Sequence, residues 1–309
     1  MVKYILKRIL LIFPVVIGIT FFIYMVLALA PGDPVALILG PEATRDELEA
    51  LRHEMGLDQN VIVRYLTYMK SVVQGDLGKS WLNAKPVMLE FRQRIPNTLA
   101  LASSSLLITI VFGISFGIIA ALQQNKPLDG LTLVFALVFA SIPTFWCGLM
   151  MQLVFALKFK WFPAMGVGTL KHMVLPAAAL SLIGLASQIR MTRSSMLDVI
   201  NMDYVRTARA KGAGEFRVVT RHVIRNGLMP VVTNLGLSFA SALGGSIITE
   251  TVFSVPGIAS FIINAVKARD VPVVMGVVIF VAFFVAFVNL IVDLIYAFID
   301  PRVKTGYMS

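Results

Sequence analysis

Few side chains in this sequence have both the type and the spacing that chemistry needs. Gly78-Lys79-Ser80 looks like the end of a phosphate-cradling loop, whose amides and lysine would grip a nucleotide. That motif requires a glycine five positions before Gly78, and the residue there is Val73, so nucleotide binding is set aside. Gly113-Ile114-Ser115-Phe116-Gly117 fits the serine nucleophile elbow, which must sit on a strand-to-helix turn. Here it falls inside a long apolar run, where Gly113 and Gly117 read as a GxxxG helix-packing face. An intramembrane protease would also need a base. His53, His172 and His222 all fall in loops or at the ends of apolar runs. None stands at ligand spacing from a carboxylate or another histidine, so no metal site is assigned.

Two ionisable residues are placed within apolar runs, Glu250 and Asp293, where a charge at the bilayer centre costs about 2.5–3.5 kcal/mol. Glu250 reads as lying at the outer end of its run. Asp293, four residues after Asn289, reads as a structural hydrogen-bonding group. Linked carboxylates for a proton relay are not visible, which counts against a proton-driven carrier. A polar stripe is more suggestive: Asn234, Ser238 and Ser241 fall at i, i+4 and i+7 on one helix face. Such a stripe either lines a water-filled path or binds a neighbouring helix. With Ser141, Gln152 and Glu250, these residues form the candidate translocation path.

The elements that would hold these groups are dictated by composition. The chain has 309 residues, of which 58% are hydrophobic and only 14% charged. A soluble protein has nearer a quarter charged, and a membrane β-barrel would alternate apolar and polar residues. The expected class is therefore all-α and polytopic, with about six transmembrane helices. The net charge of +10 is spread over loops rather than gathered on a soluble basic face, so nucleic acid is not an expected partner. The single cysteine, Cys147, sits in an apolar run and reads as a buried structural thiol.

Spans are expected at Ile9–Ala30, Leu99–Leu122, Leu131–Leu157, Met173–Ile189, Leu228–Ile248 and Val273–Ile299, each near the 20 residues a bilayer needs. The first is too long for a signal-peptide core, and Pro31 would follow the apparent cleavage site. The domain plan is an N-terminal span (1–30), an extracytoplasmic subdomain (31–97), a five-helix core (98–299) and a cytoplasmic tail (300–309). The subdomain is nearly neutral. It carries a capped helix from Thr44, with Glu47 completing a capping box, and a second helix over Val61–Val73. The N-terminus, the 123–130 loop, the 190–227 loop and the tail hold fourteen Lys/Arg against five in the opposite short loops. Both termini are thus expected in the cytoplasm, with membrane lipid around the spans.

The 190–227 loop carries most of that charge. Asp203 is its expected N-cap, followed by a helix through Ala210, a break at Gly212 and Gly214, and a second helix from Glu215 to Asn226 ended by Gly227. On that helix Arg217, Arg221 and Arg225 form a basic stripe, and Phe216, Val219 and Val223 an apolar one. A loop that only anchored the chain would not need this pattern; a docking element for a soluble partner would.

At this point the residues add up to a resemblance. RTARAKGAGEFRVVTRHVIRNGLMPVVT (Arg206 onward) resembles the cytoplasmic loop of type I ABC importer permeases, most closely the dipeptide/oligopeptide/nickel family. APGDP, MGLDQNVIVRYLTYMKSVVQGDLGKSW, GGSIITETVFSVPGIASFIINAVKARDVPVVMG and NLIVDLIYAFIDPRV resemble other blocks of that family in order. The resemblance implies a type I ABC importer transmembrane fold in a bacterial cell membrane and the B-type subunit of a heterodimeric pair. It also implies a second homologous permease, two cytosolic ATPases that bind the ATP and Mg, and an extracytoplasmic substrate-binding protein. No cofactor is expected in this chain, nor catalysis by it. Arg206, Thr207 and Ala208 match the start of the family's coupling motif, and Gly212 its glycine. With them Asp203, Tyr204, Lys211, Ala213, Glu215, Phe216 and Arg217 form the expected ATPase-coupling set. The general type I pattern has an acidic residue where this chain has Arg206, and a shorter distance from glycine to proline than Gly212 to Pro230. Both departures look like the peptide/nickel branch. Peptides lead as substrate, with nickel or metal chelates as the alternative and an ion-coupled secondary carrier behind them.

Overall fold

The computed structural model describes residues 2–299, apart from the side chains of 2–5, 7, 8, 183, 245, 293 and 296–299. The Asp293 side chain, the basic side chains of Lys3, Lys7 and Arg8, and the tail therefore lie outside the described residues. An apolar segment without water must pair its own backbone groups, and a helix does so within one segment. The described residues accordingly form helices and loops, with one isolated β-bridge, Lys79 to Pro86.

In chain order the helices are α1 (Val2–Leu29), α2 (Pro34–Leu39), α3 (Arg45–Glu54), α4 (Val61–Val73), α5 (Val87–Ile108), α6 (Ser115–Leu122) and α7 (Pro127–Ser141). They continue as α8 (Thr144–Met151), α9 (Leu170–Ile200), α10 (Asp203–Ala210), α11 (Glu215–Val218), α12 (Arg225–Val252), α13 (Ile258–Lys267) and α14 (Val271–Ile299). π-helical stretches occupy Thr109–Ile114, Gln152–Lys158 and Val219–Ile224.

Ile9–Leu29, Val87–Leu122, Glu215–Gly244 and Val271–Val292 are each long and apolar enough to cross a bilayer. Two bent pairs bring the total to six. The third expected span, Leu131–Leu157, is corrected here: it is not one straight helix, for α7 and the helix from Thr144 to Lys158 meet at 98°. The cause is Pro143, which forces the preceding residue out of the helical region; Ile142 is extended at φ −78°, ψ 124°. The fourth also differs. It runs from Leu170 to Ile200, well past Ile189, and bends by 54° between Leu182 and Gly184.

Contacts gather the chain into two units. One comprises Val2–Pro96 and Pro256–Phe287. Its core is Leu77, Val87, Phe91, Ile258, Val273 and Val277. Thr44 caps α3 and accepts from the Glu47 amide at 3.4 Å, while Glu47 accepts from the Thr44 amide at 2.9 Å. That amide bond holds the Glu47 carboxyl below the usual carboxylate range. Gly78-Lys79-Ser80 is a structural turn: Ser80 donates to Asp270, which also accepts from the Trp81 amide at 3.1 Å.

The other unit comprises Asn97–Val255 and, among the described residues, the chain from Val288 to Ile299. Here α9 is central, packed against α6, α7, α8 and α12. Between apolar helices in lipid, close packing rather than water exclusion supplies the attraction, so small residues mark the contacts. The Gly113/Gly117 face does pack on α9. A Cβ on Gly113 would lie 2.7 Å from Gln188 Cγ, and one on Gly117 2.9 Å from the Ile189 carbonyl. Asp129 at the start of α7 forms a bidentate pair with Arg193 of α9, at 2.6 and 2.7 Å.

Candidate functional site

The 203–217 loop is built as a two-sided plate. Its underside is Val205, Val218 and Val223, all buried on Ala121 of α6 and Met196 of α9, with Ala208 and Ala213 partly buried beside them. The π-helical stretch explains the five-residue spacing of Val218 and Val223: one extra residue in the turn brings them to the same face. The expected apolar stripe of Phe216, Val219 and Val223 is therefore corrected. Val219 is only half-buried, and Phe216 is 84% exposed.

The upper side carries Asp203, Tyr204, Arg206, Thr207, Lys211, Gly212, Glu215, Phe216 and Arg217, all exposed. Of the coupling set, only Ala208 and Ala213 turn inward. Asp203 is not the N-cap. Met202 holds that position, and Asp203 is the first helical residue, where its charge favours the helix N-terminus and sits 3.9 Å from Arg206. Thr207 spends its hydroxyl on the Asp203 carbonyl at 2.8 Å. Gly212 makes the turn at φ +78°, the left-handed region that side chains avoid, with open space around it.

One contact escaped the sequence reading. Arg209 grips Glu215 across the turn, Nε to Oε2 at 3.1 Å and Nη2 to Oε1 at 2.6 Å. The hydrogen bond to Glu215 raises the Arg209 guanidinium pKa further. A six-residue spacing matches no helical period, so only the Gly212 turn brings the pair together.

Gly227 also departs from expectation. The second loop helix does not stop there but runs on through Pro230 as α12. Gly227 is instead a close-approach point. Ser195 donates to its carbonyl at 2.6 Å, and a Cβ would meet Met196 Sδ at 2.8 Å. The loop is thereby continuous with α12 and braced on α9.

The polar stripe opens onto a cavity of about 290 Å³ between α5, α9 and α12. Asn234, Ser238 and Ser241 line it, and Ser105 of α5, Thr109 of the π-helical stretch that follows it and Ser187 of α9 join them. Ser105 and Thr109 stand at i, i+4, so their stripe was visible in sequence, but nothing in sequence said that it faces α12. Asn234 donates to Gln188 Oε1 at 2.8 Å, and Gln188 is fully buried. The other path candidates lie elsewhere. Ser141 sits at the Pro143 kink in a shallow groove with Phe145 and Trp146. Gln152 donates to the carbonyls of Ala164 and Val252, both at 2.9 Å. Glu250 is fully buried, its Oε1 accepting from Thr98 at 2.7 Å and from Ser246 at 3.3 Å.

With this geometry in place, likeness to known proteins identifies the class. A family model described as the binding-protein-dependent transport system inner membrane component matches residues 113–305. A second, for the N-terminal part of such membrane components, matches residues 1–102. The dipeptide transport system permease protein DppB of Alkalihalophilus pseudofirmus is 39% identical, over 98% of this chain and 100% of that one. The glutathione transport system permease protein GsiC of Escherichia coli O6:H1 is 38% identical, over 98% and 99%. A solved inward-facing structure of the MetNI methionine ABC transporter matches with TM-score 0.60 at 16% identity, over 69% of this chain and 97% of that one. That likeness is one of fold. The protein is thus a multi-pass ABC-importer permease of the cell membrane. It belongs to the family of binding-protein-dependent transport system inner membrane components.

Proposed function

We propose that this chain is one half of a two-permease pore that imports di- and oligopeptides, driven by cytosolic ATPases that dock on the upper side of the 203–217 plate. The observation that carries the reading is the two-sidedness of that plate. Its lower residues are fixed into α6 and α9, while Tyr204, Phe216 and four basic residues, Arg206, Arg209, Lys211 and Arg217, face outward. An exposed phenylalanine among arginines costs solvation in the isolated chain and fits the anchor of a protein–protein contact. ATP and Mg belong to the ATPases, and this chain performs no hydrolysis. Closure of the ATPases would push the plate, and the unbroken passage from α11 into α12 would carry that motion to the Asn234–Ser238–Ser241 face of the cavity.

Peptides suit that cavity. Its lining offers hydroxyls and a carboxamide, which exchange hydrogen bonds with amide groups and are poor ligands for a bare transition metal. The named substrates of the similar DppB and GsiC, a dipeptide and glutathione, support the same class. A second permease would complete the pore, and a binding protein would deliver the peptide to the 31–97 segment.

The test is Gly212→Asp in the purified complex. The space around Gly212 is open, and left-handed backbone costs a non-glycine residue about 1–2 kcal/mol, so the chain should still fold. A carboxylate in the middle of the docking face should reduce peptide uptake and substrate-stimulated ATPase activity by about tenfold or more, the size expected at an interface anchor. Undiminished uptake by this variant would remove the coupling role.

A further inference from the structure

A second cavity, of about 330 Å³, is lined by Arg52, Arg64 and Arg269 together with Asp33, Tyr24 and Trp81. We propose that it binds a phosphate-class oxyanion, either free phosphate or the headgroup of an anionic phospholipid. Three guanidiniums face one carboxylate. Asp33 already pairs with Arg52 and accepts from the Val35 amide at 3.0 Å, so the lining keeps a surplus of two positive charges. Guanidinium donors in fixed planes are the side chains best matched to phosphate oxygens.

The arginines are held in place. Arg269 donates to the carbonyls of Ala30 and Gly32 at 2.9 and 3.0 Å. Gly32, at φ +115°, lets that guanidinium approach the backbone; a Cβ there would lie 3.1 Å from its central carbon. Arg64 donates to the Leu57 carbonyl at 3.3 Å and lies over the Tyr24 ring at 5.9 Å. Its Nε is buried and has no acceptor among the described residues. A buried donor left unmatched costs about 1–3 kcal/mol, and an oxyanion in the cavity would supply the acceptor.

The cavity also lies where such a ligand would be found. Tyr24, Leu27 and Ala28 are in the last two turns of the apolar span that ends at Leu29, and Val271 begins the span that runs to Val292. The apolar stretches of both spans end beside this cavity, and Tyr and Trp favour the ends of membrane spans. A basic wall above Leu27, Ala28 and Val271 suits a headgroup with its chains below.

The experiment uses the full chain, purified in detergent with its accompanying subunits and stripped of lipid. Thermal unfolding would be followed with added inorganic phosphate, with phosphatidylglycerol, and with neutral diacylglycerol as the tail control. Stabilisation by phosphate or phosphatidylglycerol but not by diacylglycerol is expected, and which of the two saturates at lower concentration names the source. Arg64→Gln should weaken that response about tenfold, as loss of a charge-assisted bond does, whereas Arg45→Gln, the same charge change at an exposed position of α3, should leave it intact. If neither anion stabilises the wild-type protein more than diacylglycerol does, the site is not an oxyanion site. An equal response from Arg64→Gln and wild type would also overturn it.

Discussion

At the scale of the residue, the buried carboxylates show why charge was only partly legible. Glu250 is visible from sequence because it interrupts an apolar run. Asp129 is not: it sits in a short polar loop beside Pro127, and its partner Arg193 is 64 positions away, beyond any helical spacing rule. Yet Asp129 is 3% exposed and the Arg193 side chain 22%. Removing one partner of such a pair leaves the other charge uncompensated, at a cost of about 3–5 kcal/mol. Asp129→Asn should therefore lower the unfolding temperature of the purified chain markedly. Exchanging the pair, Asp129→Arg with Arg193→Asp, should recover part of the loss. An Asp129→Asn protein that melts with wild type would show that α7 and α9 do not depend on this bond.

At the scale of the element, local rules held where helices are set by local signals. The capping box at Thr44 and the helix over Val61–Val73 appear as read, because caps and apolar periodicity act within a few residues. They failed where packing decides. Gly227 looks like a helix stop in sequence and is a contact point in space, and the π-helical turn at Val219–Ile224 moved the buried face from the positions that a 3.6-residue period predicts. The break at Pro143 was written in the sequence, but the apolar residues on either side masked it. Gly117 gives the sharpest element-scale test. A methyl there would sit 2.4 Å from Thr192 Cβ, 2.8 Å from Thr192 Cγ2 and 2.9 Å from the Ile189 carbonyl, so α6 and α9 must separate. Overpacking of this kind costs about 1–3 kcal/mol. Gly117→Ala should reduce both unfolding temperature and yield of folded protein, and adding Thr192→Ser should restore at most a small part of each, because it removes Cγ2 but keeps the closer Cβ. If Gly117→Ala behaves as wild type, the GxxxG face is not what brings these helices together.

At the scale of the whole molecule, the open quantity is which side of the membrane each segment faces, and the charge pattern makes a definite prediction. An even number of spans returns the chain to its starting side. The 190–227 loop, with eight Lys/Arg, belongs inside by the positive-inside bias, which puts the 31–97 segment outside after the first span. The bent third and fourth spans make this worth measuring, since a limb of 15 residues rises only about 22 Å and would not cross the hydrocarbon alone. The sequence offers a clean background, because its one cysteine, Cys147, is buried. In a Cys147→Ser chain, Glu49→Cys on exposed α3 and Lys211→Cys on the Gly212 turn each supply a single exposed thiol. A membrane-impermeant maleimide on intact cells should label Glu49→Cys and spare Lys211→Cys until the membrane is opened. Labelling of Lys211→Cys from outside would put the plate on the wrong side for an ATPase and sink the coupling mechanism. Labelling of both from outside would mean that one bent pair fails to cross, leaving two spans between these sites where the charge pattern requires three.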